Sequence, residues 1–240
     1  DVYFYQLGIR LGLDRLSAFM KTLGLSQRSG IDLPQERRGL FPDPAWYDKR
    51  FGAGRWSRGL ILNLAIGQGE SSVTPVKLAQ ITAMIANGGM MWKPRLIHEA
   101  VREGSKIPIG AVQPDSLSHR LDLNPRDIKR VQEAMEAVIY DQGGTGGLAK
   151  VEGVRVAGKT GTAQNPHGED HALFICYAPA EAPEIAIAVL LENAGHGGSE
   201  AAPVAQKVLQ AFFHPAAAES ARVAAQQAAA KAPAAAPRRG

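Results

Sequence analysis

Cysteine, aromatics, long apolar runs and net charge are all scarce in these 240 residues, and each scarcity removes a class of protein. The single cysteine, Cys176, cannot form an intrachain disulfide, so packing and hydrogen bonds must hold the fold. Its place within an apolar run predicts a small buried core residue. No stretch approaches the roughly 20 apolar residues of a membrane span, and no signal-type segment is present. Trp46, Trp56 and Trp92 stand far apart and make no stripe on which bases could stack. The net charge is +4, of which residues 216–240 carry +3 through Arg222, Lys231, Arg238 and Arg239 against Glu219. The remaining body is near neutral, which is no electrostatic footprint for nucleic acid.

A recognisable nucleophile is also missing. No serine is followed three residues later by lysine, no S-x-N or S-x-D occurs, and no G-x-S-x-G elbow is present. His167 and His171 have a spacing seen in metal sites, with Glu169 and Asp170 between them. They lie in a breaker-rich loop and do not form H-E-x-x-H, so neither a metal nor a cofactor is expected.

What is present concentrates in residues 156–164, VAGKTGTAQ. Residues 153–160 satisfy the G-x-x-x-x-G-K-[ST] pattern of a phosphate loop, while Lys159-Thr160-Gly161 satisfies the K-T-G element of serine acyl-transfer enzymes. A phosphate loop needs Lys-Thr to open a helix whose N-terminus faces the phosphates. Here Val154-Arg-Val-Ala157 alternates like a strand, and Gly161, Pro166 and Gly168 follow closely, so no helix starts at Lys159. The strand alternative predicts K-T-G within a sheet.

The surrounding pattern agrees. The apolar runs 171–178 and 184–191, joined by Pro179-Ala-Glu-Ala-Pro183, predict an antiparallel hairpin. Residues 199–213 predict a closing helix, with Val204, Val208, Leu209 and Phe212 at helical spacing. Thr74-Pro75 and Asn124-Pro125 each supply a cap and a first-turn proline. They open one helix carrying Val76, Leu78, Ala79, Ile81 and Ile85, and another, to about Tyr140, carrying Ile128, Val131, Met135, Val138 and Ile139. Residues 14–23 predict a further helix ended by Gly24. The loop Gln142-Gly-Gly-Thr-Gly-Gly147 follows a helix and reads as a flexible connection. Gln68, between Gly67 and Gly69, faces either a cleft or solvent, and His196 reads as a loop residue. The expected class is α/β (α+β), an antiparallel sheet flanked by helices. It occupies residues 1–214 and is followed by an Ala/Pro-rich basic tail, 215–240, expected to be disordered or transiently helical.

An exposed strand bearing K-T-G-T can accept a peptide as an added strand. Gly161 leaves room for its approach, Lys159 offers positive charge, and the hydroxyls of Thr160 and Thr162 can hold a carboxylate. The Thr162 N–H can face a developing oxyanion, a contribution of about 3 kcal/mol per donor.

Several segments in order resemble the transpeptidase domain of class B penicillin-binding proteins, particularly the elongation type (penicillin-binding protein 2). They are Asp1-Val-Tyr-Phe-Tyr-Gln-Leu-Gly8, Thr22-Leu-Gly-Leu, Gly30-Ile-Asp-Leu-Pro34, Ile66-Gly-Gln-Gly69 with Thr74-Pro75, Asn87-Gly-Gly89 with Lys93-Pro94, residues 156–164, Asp170-His-Ala-Leu-Phe174 and Leu191-Glu-Asn193. The resemblance covers residues 1 to about 213. It implies the penicillin-binding transpeptidase (serine β-lactamase-like) fold with the N-terminal half of the domain missing. Lys159, Thr160 and Gly161 resemble the third active-site motif, Thr162 the oxyanion-hole and carboxylate-binding position, and Gln164 a cleft-lining substrate contact. Asp1 resembles the last residue of the second motif, S-x-D; as a bare residue it equally suits a helix N-cap.

The resemblance further implies a parent D,D-transpeptidase acting on D-Ala-D-Ala stem peptides of peptidoglycan, trapped by β-lactam antibiotics. Its S-x-x-K nucleophile would lie upstream of Asp1, leaving this fragment alone inactive. An upstream anchor would hold the parent at the periplasmic face of the cytoplasmic membrane, beside a membrane glycosyltransferase of the elongation machinery. A division-type enzyme, a β-lactam-sensing or pseudoenzyme module, and a P-loop nucleotide hydrolase stay open beside this.

Overall fold

The computed structural model describes residues 2–96, 100–102, 105–107, 117–217 and 219–220. Helix α1 (Val2–Thr22) is interrupted at Gly12 (φ 75°, ψ 162°), a conformation that glycine adopts without a Cβ clash. It contains most of the helix predicted over residues 14–23 and extends it toward the N-terminus across the kink. Helices α2 (Pro44–Phe51) and α3 (Gly59–Ala65) pack with α1 around Leu13, fully buried Tyr47, Ile61 and Leu64.

Helix α4 (Pro75–Ala86) starts where Thr74 Oγ1 accepts the Lys77 N–H (3.3 Å), with proline in the first turn as expected. Ile81 and Ile85 pack against the core as predicted, and the polar Lys77, Gln80 and Thr82 are buried besides, along with Met84 and Ala86. Burial is tolerable because each polar head is bonded. Lys77 Nζ donates to Gln80 Oε1 (2.7 Å) and to Arg28 O (3.3 Å), and Gln80 Nε2 donates to Ser29 O (3.2 Å) and Trp92 O (2.6 Å). These bonds fasten the 24–36 segment to the helix.

The short strands β1 (Met90–Trp92) and β4 (Leu117–Arg120) pair antiparallel, as do β2 (Ala100–Arg102) and β3 (Ser105–Ile107). Helix α5 (Pro125–Tyr140), capped by Asn124 Oδ1 on the Arg126 N–H (2.9 Å), buries Met135 and Ile139 and leaves Val131 outside.

The principal sheet is antiparallel in the order β5–β6–β7, from β5 (Ala157–Ala163), β6 (His171–Ala178) and β7 (Ile185–Leu191). The strand begins three residues later than the Val154–Ala157 alternation predicts. Val151 bridges to Val154 through a tight turn with Gly153 at φ 71°, and the ladder starts only beyond it. Strand β6 is covered on both faces. Ala172, Phe174, Cys176 and Ala178 meet Leu209, Ala202 and Ala205 on one side, while Tyr177 meets Ala86 and Met135 on the other. Burial pushes the Cys176 thiol up to about 12, as suits the inert core residue expected.

The closing helix α6 (Ala202–Phe213) is preceded by a π-helical turn over residues 197–201. Its buried positions are Ala202, Ala205 and Leu209, whereas Val204, Val208 and Phe212 are exposed. Residues 215–217 and 219–220 are helical; 221–240, with most of the expected tail, lie outside the described residues.

Candidate active site along the β5 edge

Strand β5 changes character along its length. Ala157 and Gly158 are buried, and from Lys159 onward the strand opens to solvent. One edge is fully paired with β6, Lys159 opposite Ile175 and Gly161 opposite Leu173. Along the other edge no strand runs among the described residues.

The orientation of the free edge follows from one side chain. Gln68 Nε2 donates to Thr162 O (2.8 Å), and Gln68 Oε1 accepts the Gln164 N–H (3.4 Å). In an antiparallel strand the N–H and C=O of one residue point to the same edge, and alternate residues share that edge. The N–H groups of Thr160 and Thr162 therefore point away from β6 as well. Lys159 Nζ supports this, since it reaches the edge and donates to Thr160 O at 2.6 Å.

By strand alternation Thr160 and Thr162 project from one face of β5, and Lys159 and Gly161 from the other. The threonines border an open cavity of about 610 Å³ that Thr145, Leu148, His196 and Ser199 also line. The Thr145 and Thr160 hydroxyls share a hydrogen bond of 2.7 Å. Loss of hydration pulls the Lys159 ammonium below the usual lysine range, even though the residue is exposed on one side. Two hydroxyls, an outward N–H and an ammonium at one strand edge can bind a carboxylate and stabilise an oxyanion. They cannot cradle a triphosphate, since Lys159 and Thr160 sit in mid-strand with no helix behind them.

This arrangement has relatives. The family model described as penicillin binding protein transpeptidase domain matches residues 1–210. The chain belongs to that family. A peptidoglycan D,D-transpeptidase MrdA from Acinetobacter baumannii is 37% identical over 218 residues, covering 84% of this chain and 31% of the relative. Pseudomonas aeruginosa PBP2 in complex with WCK 5153 superposes with a TM-score of 0.76 at 38% identity, covering 88% of this chain and 45% of that one. Helicobacter pylori PBP2, in complex with MreC, superposes with a TM-score of 0.71 at 29% identity, covering 88% and 38%. The chain thus spans about a third of the length of the curated relatives it matches. The expected fold and family both stand.

Within the transpeptidase domain the sequence-predicted residues fall as follows. Lys159, Thr160, Gly161 and Thr162 lie on β5. Gln164 lies just past its end, exposed, with its backbone tied to Gln68. Asp1 lies outside the described residues. The missing side chain of Gly161 relieves the sheet: a Cβ there would meet Leu173 Cβ at 3.2 Å. A strand Cβ projects out of the sheet plane, so this glycine does not clear the edge for a peptide, as expected above, but accommodates β6.

The 142–147 loop is no flexible connection. A Cβ at Gly144 would meet Val138 O at 2.6 Å, one at Gly146 would meet Ile139 Cδ1 at 2.7 Å, and one at Gly198 would collide with Thr145 O. The glycines let the loop pack tightly and bring Thr145 onto Thr160. In the sequence Thr145 stands out only as the one polar side chain among four glycines. His196 and Ser199 reach the same cavity with no sequence signal beyond proximity to glycines. His171 Nδ1 accepts the Asn193 N–H (3.0 Å), and Asn165 Nδ2 donates to Asn193 Oδ1 (2.6 Å), so this loop is closed by hydrogen bonds. Among the described residues no three His, Cys, Asp or Glu side chains gather as metal ligands, and no helix is long and apolar enough to cross a membrane.

Proposed function

We propose that the full-length protein carrying this chain is a peptidoglycan D,D-transpeptidase of the elongation (penicillin-binding protein 2) type, and that β5 is its substrate-binding strand. The observation that carries this is the free β5 edge, where the Thr162 N–H points outward and the Lys159 ammonium reaches Thr160 O, with the Thr160 and Thr162 hydroxyls bordering an open cavity. A stem peptide adds to that edge as an extended strand. A serine attacks the carbonyl of the penultimate D-Ala, the bond to the terminal D-Ala breaks and that residue leaves as the free amino acid. The resulting ester is then attacked by an amine of a neighbouring stem peptide, which forms the cross-link and frees the serine.

In this scheme Lys159 and the hydroxyls of Thr160 and Thr162 hold the terminal carboxylate, and the Thr162 N–H faces the oxyanion of each tetrahedral intermediate. Gln164 lines the cleft as a substrate contact, and Asp1 belongs to the second motif. The chain holds no S-x-x-K, so the nucleophile comes from the rest of the protein. β-Lactams mimic the donor and stop at the acyl-serine. The proposed setting is the periplasmic face of the cytoplasmic membrane, with a membrane glycosyltransferase as partner.

Fluorescent-penicillin labelling of the full-length protein, followed by peptide mapping, tests this. The expected result is one acyl-serine outside residues 1–240; absence of labelling would overturn the proposal.

A further inference from the structure

Gln68 is held from a fixed base. It follows the C-terminal end of α3 between Gly67 (φ 78°) and Gly69 (φ 77°), and its own N–H donates to Asn63 O at 2.9 Å. Two residues on, Glu70 Oε2 accepts the hydroxyl of the fully buried Tyr47 at 2.8 Å. From this base the carboxamide crosses to β5, 94 residues away in sequence, and takes the Thr162 carbonyl and the Gln164 N–H together. A carbonyl only accepts and an N–H only donates, so these partners fix which end of the amide is which. The C=O of one residue and the N–H of the second residue after it are the two groups that a parallel neighbouring strand would engage. The carboxamide therefore stands in for a strand residue opposite Ala163. Beyond Thr162 the edge is occupied, and the Thr162 N–H is the last outward donor left open to a peptide.

We infer that Gln68 is a positioning residue that ends the peptide-accepting edge of β5 at Thr162 and holds that segment so that the Thr162 N–H meets the reacting carbonyl oxygen. The inference rests on the transpeptidase proposal above. It makes Gln68 a determinant of how far the donor peptide can run along the strand, although no catalytic motif contains it.

The test measures the second-order rate of acylation by fluorescent penicillin in the full-length protein. Wild type, Gln68→Ala and Gln68→Glu are compared, each variant as a ratio to wild type at the same pH. Alanine removes both bonds, and its ratio falls about tenfold or more and stays there at every pH. An ionised glutamate accepts from Gln164 but cannot donate to Thr162, so at about pH 8 it is as slow as alanine. Once protonated it matches the amide in shape and in both bonds, so its ratio climbs several-fold as the pH falls toward about 5.

A packing role alone would not move with pH in this way. A Gln68→Ala rate within about twofold of wild type, or a glutamate ratio that does not climb, overturns the inference. Should Gln68→Ala fail to fold, the glutamate profile decides alone. Unlabelled wild type overturns the transpeptidase proposal and this assignment with it, whereas labelled wild type with indifferent variants overturns the assignment only.

Discussion

Two lysines in this chain lose hydration and are pulled below the usual lysine range, yet their surroundings are opposites. Lys77, on the inner side of α4, is 4% exposed; its ammonium is bonded to Gln80 Oε1 and Arg28 O and sits in the field of Glu36, which works against the loss of hydration. Lys159, on β5, is exposed and makes one bond, to the carbonyl of its own neighbour Thr160, and loss of hydration lowers it. Among the described residues no carboxylate pairs with it. The first lysine spends two of its three donors within the fold and serves as a bolt between a helix and a loop. The second uses one of its three donors among the described residues. Burial alone therefore does not make a lysine a candidate for function; burial with donors left over does.

The sharpest way to break this comparison is to remove each ammonium and read activity and stability separately. Lys159→Ala in the full-length protein is expected to slow penicillin acylation by more than about tenfold, with no fall in the thermal midpoint. Labelling at the wild-type rate would remove Lys159 from the site.

Lys77→Met should do the reverse. The methionine fills similar space but leaves Gln80 Oε1 and Arg28 O without their donor, which costs about 1–3 kcal/mol of stability. Urea titration reads that loss, and the acylation rate per folded molecule is expected to stay within about twofold of wild type. A slowed rate with stability intact would mean that the α4 cluster reaches the cleft.

The same contrast explains how much was legible in the sequence. The β6–β7 hairpin was readable because two apolar runs flank a proline-bounded loop, and K-T-G fell on a strand because breakers follow it. The caps at Thr74 and Asn124 were readable because each is a local contact within three residues. The buried polar side chains of α4 were not. Periodicity selects apolar residues, whereas Lys77 and Gln80 are buried through bonds to segments about 50 residues earlier. The candidate site was legible where it is a motif, at residues 159–162, and hidden where it is a contact between distant segments. Gln68 on Thr162 and Thr145 on Thr160 are contacts of that kind. A glycine-flanked polar residue was the only trace of either, and the same trace accompanies ordinary turns.

The smallest expected effect lies in alkaline stability, and its sign separates the two lysines again. A lysine whose folded-state value lies below its unfolded value binds fewer protons when folded, across the interval between the two. Stability therefore rises with pH through that interval, from the lowered Lys159 value up to the ordinary lysine value of about 10.4. Lys159→Met removes this contribution, so the variant should be more stable than wild type near neutral pH, with the gap narrowing as the pH climbs through the interval. For Lys77→Met the relief of the same penalty is opposed by two unmet acceptors, so that variant should stay below wild type throughout. Urea midpoints of the three proteins between about pH 7 and about pH 11 measure both trends. A Lys159→Met gap that is constant or widens with pH would show that its ammonium is fully hydrated in the folded protein, and the contrast between bolt and open donor would then rest on hydrogen bonding alone.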